Sequence, residues 1–143
     1  MNYQFIKFWR EQSDIVKWEE KPKKILKSKK NFFHEWYPDG KINIYDNCIT
    51  KNIEKGFYNK NAIITVNDQK KIQLYTYGDI DILVNNFCSY LLNFFKKNKI
   101  TDKKIMIHSS ASIYSAVSML GCAKLGVHFS VIFEDLELDA INN

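Results

Sequence analysis

Arginine is almost missing from this chain: of its 21 basic residues, only Arg10 carries a guanidinium. Base edges and phosphates are recognised best by that planar, bidentate group. A nearly all-lysine inventory therefore argues against a nucleic-acid partner, despite a net charge of +5. Most of the excess sits in residues 17–30 (KWEEKPKKILKSKK), with seven Lys against two Glu. A lysine-rich stretch of that kind reads as a solvated face. Glycine is scarce as well. Gly40, Gly56, Gly78, Gly121 and Gly126 stand singly, so no loop has the glycine cluster that lets backbone N–H groups wrap a phosphate. Cys48, Cys88 and Cys122 are odd in number and far apart, without the short spacing of zinc or redox motifs. They read as buried free thiols. His34, His108 and His128 are equally scattered, which gives no metal site. No apolar run approaches the roughly 20 residues that cross a bilayer. The N-terminus, MNYQFIKFWREQ, lacks the apolar core and cleavage site of a signal peptide. The expectation is a cytoplasmic protein with no membrane contact.

What is present is material for a core. Of 143 residues, 45% are hydrophobic and 15% aromatic, so the chain is not disordered even with 26% charged residues. Phe5, Phe8 and Trp9, then Ile15 and Trp18, fall near helical spacing and predict one or two short amphipathic helices within residues 3–20. Pro22 ends that pattern, and residues 21–30 follow as a connector or short helix. Pro38, Asp39 and Gly40 mark a turn. Residues 41–60 show no clear period and are expected to wrap over another surface.

The second half is more regular. Ala62–Val66 and Ile72–Tyr75 flank the turn residues Asn67-Asp68-Gln69 and predict a β-hairpin. Thr76 offers a hydroxyl as helix N-cap, with Asp79 in the acidic position of a capping box. Ile80, Leu83, Val84, Phe87, Leu91, Phe94 and Phe95 then recur at steps of three and four. They predict an amphipathic helix of about five turns, closed by lysines that suit its dipole. Lys104–His108 reads as a short buried strand and residues 113–125 as a helix. Ser109, Ser110 and Ser112 are its cap candidates and Gly126 its stop. Val127–Phe133 is a second strand, apolar on both faces, as a covered parallel strand would be. Together these form a βαβ unit, and the small residues Gly121 and Ala123 would let its helix lie close to the sheet. Asp135–Ile141 starts like a further helix, with Asp135, Glu137 and Asp139 on a solvated face. A strand apolar on both faces needs more cover than these residues supply, so an incomplete domain, or one completed by a partner, is expected.

The serine group after His108 lies at a strand-to-helix junction, the nearest thing to an anion site; ordinary capping is the preferred reading. No Ser-His-Asp arrangement, HExxH, calcium loop or zinc pattern occurs. No catalytic, cofactor-binding or metal residue is assigned.

Five blocks carry a resemblance. WYPDGKINIYDNC (Trp36–Cys48) is similar to the WF-x-GG-x-LN-x-x-x-NC signature of acetyl-CoA synthetases, with Gly40, Lys41, Asn43, Asn47 and Cys48 in register. FWREQSDIVKWEEKPKKIL lies upstream, where the family has FW…W…W-x-K-V-L. AIITVNDQKKIQLYTYGDI, KITDKKIMIHSS and SMLGCAKLGVHFSVIF follow in the family's order. The chain thus resembles the N-terminal region of an AMP-forming acetyl- or propionyl-CoA synthetase, of the adenylate-forming superfamily. Residues 1–60 resemble the family's N-terminal segment and 61–143 the start of its AMP-binding α/β domain. The resemblance implies an α/β fold: N-terminal helices and an irregular wrap, a β-hairpin, an amphipathic helix and a βαβ unit, as an incomplete subdomain of the ligase.

The family joins acid, ATP and coenzyme A into acyl-CoA, AMP and pyrophosphate, with magnesium, through an acyl-adenylate. Its Pro-Lys-Gly phosphate loop, its C-terminal catalytic lysine and its principal coenzyme A contacts fall outside the matched blocks. No cofactor is therefore assigned within residues 1–143, and the chain alone is expected not to be competent. Departures are Lys51-Asn52 for the family's Arg-His, Ile113-Tyr114 for Pro-Glu, and Glu134-Asp135 for Gly-Gly. Three readings follow. One is part of a split ligase, partnered by its remaining polypeptide or by self-association. The second is an inactive truncated relative or partner-binding module. The third is a small basic interaction module whose likeness to the family is historical only.

Overall fold

The computed structural model describes residues 3–28, 33–132 and 134–135. It is a mixed α/β chain that divides into two compact units, one up to Asn43 and one from Ile44.

The first unit is built around aromatic rings. Helix α1 spans Tyr3–Ser13 and stops there, so the periodicity that reached Ile15 and Trp18 is not helical throughout. The reason is local. The Ser13 hydroxyl donates to the Arg10 carbonyl at 2.6 Å, and the Trp18 indole N–H donates to the Ser13 carbonyl at 2.7 Å, satisfying a C-terminal acceptor that the helix leaves open. Trp18 itself lies in strand β1 (Trp18–Glu20), antiparallel to β4 (Lys41–Ile42). Strand β2 (Leu26–Ser28), where a connector or helix was expected, pairs with β3 (His34–Trp36). The Pro38-Asp39-Gly40 turn is present, closed by the Gly40 N–H on the Tyr37 carbonyl at 2.9 Å.

The second unit follows the sequence more closely, with one difference. Residues 44–54 do not wrap irregularly: they are helical, with a π-helical turn at Asp46–Thr50 running into α2 (Lys51–Glu54). Tyr45 and Ile49 from this segment are buried against the long helix. That packing is why the compact units part after Asn43.

Strands β5 (Asn61–Val66) and β6 (Ile72–Thr76) form the antiparallel hairpin, pairing Ile64 with Leu74 and Val66 with Ile72. Helix α3 (Tyr77–Lys97) follows at once. Its capping box is complete: the Thr76 hydroxyl accepts from the Asp79 N–H at 3.1 Å, and the Asp79 carboxylate accepts from the Thr76 N–H at 2.9 Å. Parallel strands β7 (Lys104–His108) and β8 (His128–Ile132) flank α4 (Ile113–Leu125), which ends on Gly126 in the left-handed conformation (φ 64°) that glycine adopts most cheaply.

Helix α3 organises two apolar clusters. Ile80, Val84 and Cys88 meet Tyr45, Ile49, Ile113 and Val117. Leu91 and Phe95 meet Ile107, Cys122 and Val127. Two expectations change here. Strands β7 and β8 are not covered on both faces: Met106 is 57% exposed on one face, and on the other Ile107 is buried while its register partner Val131 stays 48% exposed. Gly121 serves the approach of α4 to α3 rather than to the sheet: a Cβ there would lie 2.4 Å from the Phe87 ring. Phe133 and the continuation proposed for Asp135–Ile141 beyond Asp135 lie outside the described residues.

Candidate functional site

In open α/β sheets ligands gather beyond the carboxyl ends of the strands. In this chain that position, after His108, opens onto a cleft of about 500 Å³. The hairpin end contributes Thr65, Val66, Asn67, Asp68 and Gln73, and the loop entering α4 contributes Ser110 to Tyr114; Glu134 completes the lining. The N-terminus of α4 carries the partial positive charge that could draw an anion. Three of the serines at this junction are already engaged, however. The Ser112 hydroxyl accepts from the Ser115 N–H at 3.4 Å, and the Ser115 hydroxyl oxygen accepts from the Ser112 N–H at 3.1 Å. The Ser109 hydroxyl donates to the Ser110 carbonyl at 3.2 Å.

Two carboxylates, Asp68 and Glu134, line the same cleft, and the loop has no glycine to let backbone approach a phosphate. The described lining residues therefore do not fit a nucleotide triphosphate. Where the resemblance places Pro-Glu, Ile113 is buried in the α3 cluster and Tyr114 stands 76% exposed at the cleft.

A second polar constellation escaped the sequence reading. The Tyr45 hydroxyl donates to the Asp81 carboxylate, and the Asn85 amide donates to the same oxygen at 3.1 Å. Lys124 donates to the Asn85 side-chain oxygen at 2.5 Å, and its ammonium lies 4.1 Å from the Tyr45 ring centroid. The group ties the π-helical turn to α3 and α4. Only the Asp81/Asn85 step of four was visible in sequence; Tyr45 and Lys124 join it through tertiary packing alone.

Burial, followed by the hydrogen bond to Asp81, pushes the Tyr45 phenol well above the usual tyrosine range. The unfolded chain loses that proton near pH 10 while the folded chain keeps it. Above about pH 10 the folded state thus binds more protons than the unfolded one, and stability falls as pH rises. Urea midpoints compared at pH 8 and pH 10.5 should show this loss, and Tyr45→Phe should show less of it. An equal loss in both proteins would refute the assignment.

The cysteines separate by burial. Burial raises the thiol pKa of Cys88 and Cys122, which keeps them protonated and inert. Cys48, expected to be buried, is exposed. Among the described residues, no group of three or more His, Cys, Asp or Glu side chains could hold a metal ion, and no helix is long and apolar enough to cross a membrane.

The signature stretch Trp36–Cys48 has structural work in both units. Trp36 packs on Trp9 with ring centroids 5.1 Å apart. The Tyr37 hydroxyl donates to the Trp9 carbonyl at 2.9 Å. Gly40 leaves room for Trp18, whose ring would lie 2.7 Å from a Cβ at that position. The Asp39 carboxylate accepts from the N–H groups of Lys24 and Lys23 at 3.1 and 3.2 Å, which holds it below the usual carboxylate range. Asn47 and Cys48 lie in the π-helical turn.

Residues 4–48 match the model of the family described as acetyl-coenzyme A synthetase N-terminus. The chain is similar to the acetyl-coenzyme A synthetase of Ralstonia pickettii, 30% identical over 127 residues, which are 88% of this chain and 19% of that protein. The enzyme of the same name from Cupriavidus metallidurans is 28% identical over the same shares. The chain thus spans about a fifth of the length of the curated relatives it matches. Among solved structures, acetoacetyl-CoA synthetase from Streptomyces lividans superposes with a TM-score of 0.78 at 13% identity, covering 96% of this chain and 21% of that one. CmiS6 superposes with a TM-score of 0.58 at 15% identity, over 70% of this chain and 24% of its own. Both share the fold.

Proposed function

Because residues 4–48 belong to the acetyl-coenzyme A synthetase N-terminus family, and the alignment with whole synthetases runs over 88% of the chain, we propose that it supplies the N-terminal part of an AMP-forming acid–CoA ligase. The acid is acetate or propionate, the compartment the cytoplasm, and ATP, magnesium and coenzyme A are handled by the complementary region of the ligase. The observation that carries this reading is collinearity: the match extends from the aromatic signature through the hairpin to β8, with the same fold in a solved synthetase. The open strand pair agrees with it. Parallel sheets are stable with both faces covered, and here Met106 is uncovered on one face while Phe129 and Val131 are only partly covered on the other.

The described residues form no cradle for a triphosphate, so on this reading the chain does not activate an acid alone. The test is acid-dependent exchange of pyrophosphate into ATP, together with acyl-CoA formation, using the purified chain with acetate and with propionate. No turnover is expected unless a polypeptide bearing the Pro-Lys-Gly loop is present. Acyl-CoA made by the chain by itself would overturn the proposal.

One observation favours the second reading, an inactive relative with a binding role. Ile113 and Tyr114 replace a proline and a carboxylate at the cleft, and Glu134 adds negative charge to its lining. Restored turnover with the complementary polypeptide would exclude this reading.

A further inference from the structure

The hairpin has an apolar face that the core does not use. Ile63 and Tyr75 point inward and pack against the α3 cluster. On the other side, Ile64 and Val66 of β5 stand opposite Leu74 and Ile72 of β6, so the four share one face. They are 62%, 62%, 55% and 62% exposed in that order. The face continues onto α3, where Ile82 is 51% exposed and lines a cleft of about 360 Å³ together with Leu74 and Asp79. Single exposed aliphatics are ordinary; five in one contiguous face mark an interaction surface.

Charge selects the occupant. The turn end of the face carries Lys70 and Lys71, both exposed, and the opposite end carries the exposed Asp79 carboxylate. Asp68 at the turn lines the other cleft, and Lys60 lies over the Phe57 ring at 4.8 Å. The surface is therefore positive at one end, apolar in the middle and negative at the other. A two-fold interface uses one patch twice, so the patch must complement itself. This one does so when the two hairpins stack face to face with strands antiparallel, about 10 Å apart, the lysines of each copy over Asp79 of the other. Stacking them parallel would set lysine against lysine.

We propose that this hairpin face is the interface of a homodimer of the chain. A stable dimer covers about 800 Å² a side. Five aliphatic side chains fall short of that without their polar rim, so the dissociation constant is expected in the micromolar range. This surface is separate from the open β7–β8 pair, which the ligase reading uses.

The test is analytical ultracentrifugation of residues 1–143 from about 1 to about 100 µM, a span bracketing micromolar association. A reversible monomer–dimer equilibrium is expected. Ile64→Lys with Leu74→Lys should raise the dissociation constant at least tenfold. Lys70→Glu with Lys71→Glu should raise it by about fivefold, the scale of rim electrostatics. Val131→Lys, on β8, should leave it unchanged. Should the double-lysine variant fail to fold, hydrogen exchange of the wild type decides: amides of β5 and β6 should gain protection with concentration, and those of β8 should not. A monomer throughout, open-ended association, or a dimer lost in Val131→Lys and kept in the hairpin variants would each overturn the proposal.

Discussion

Val84→Asp is expected to unfold the unit formed by residues 44–143. Val84 is fully buried on α3, in one cluster with Tyr45, Ile49, Ile113 and Val117. Among its buried members the cluster offers only the Tyr45 hydroxyl, already committed to Asp81, and the Cys88 thiol, which donates to the Gly121 carbonyl. A carboxyl group placed there finds no partner. It either stays ionised against low dielectric or takes up a proton and remains an unsatisfied polar group. The cost is about 4 kcal/mol or more, against a total stability of about 5–15 kcal/mol for a domain. Val84→Thr separates shape from charge, because it keeps the volume and adds one hydroxyl that can bond within the helix; about 1–3 kcal/mol is expected. Circular dichroism melts distinguish the two: a lost cooperative transition for aspartate, a lowered one for threonine. An aspartate variant melting within a few degrees of the wild type would mean that this cluster is not the core.

The same cluster explains which parts of the fold could be read in advance. The stripe Ile80, Val84, Leu91 and Phe95 was visible because α3 is long enough for its period to outweigh local exceptions. Cys88 completes that stripe, while Phe94, counted with it from spacing, is 44% exposed. The caps at Thr76 and Ser112 were readable for another reason: a capping box is a local exchange of hydrogen bonds and needs no tertiary partner.

Residues 44–54 were not readable. Tyr45, Ile49 and Ile53 do fall four apart, but Asn43, Asp46 and Asn47 compete for the backbone through their side chains, and such residues normally signal turns. Packing on α3 decides in favour of the helix. Trp18 shows the converse, since its helical spacing in sequence is overridden by one indole hydrogen bond to Ser13. For the candidate site, the serine loop was found from composition. Its convergence with Asp68 and Gln73 was not, because the hairpin end reaches the cleft only through tertiary packing.

The other large effect is expected at Gly121, where α3 and α4 cross. The Cys88 thiol donates to the Gly121 carbonyl at 3.6 Å, and a Cβ on Gly121 would sit 2.4 and 2.9 Å from two atoms of the Phe87 ring. Leucine there gains about 1 kcal/mol of helix propensity over glycine. It also forces its side chain into space that Phe87 and Cys88 fill, and overpacking costs about 1–3 kcal/mol, at the upper end or beyond when even the first carbon collides. The clash should win, lowering the urea midpoint of Gly121→Leu well below that of the wild type. The cause can be isolated with Gly121→Ala, where the added carbon meets mainly the Phe87 ring. Combined with Phe87→Leu, it should cost less than the sum of the two single changes, a coupling that appears only when the residues touch. Strict additivity, or a Gly121→Leu protein more stable than its parent, would show that the helices do not approach as closely at this crossing as the ring contact requires.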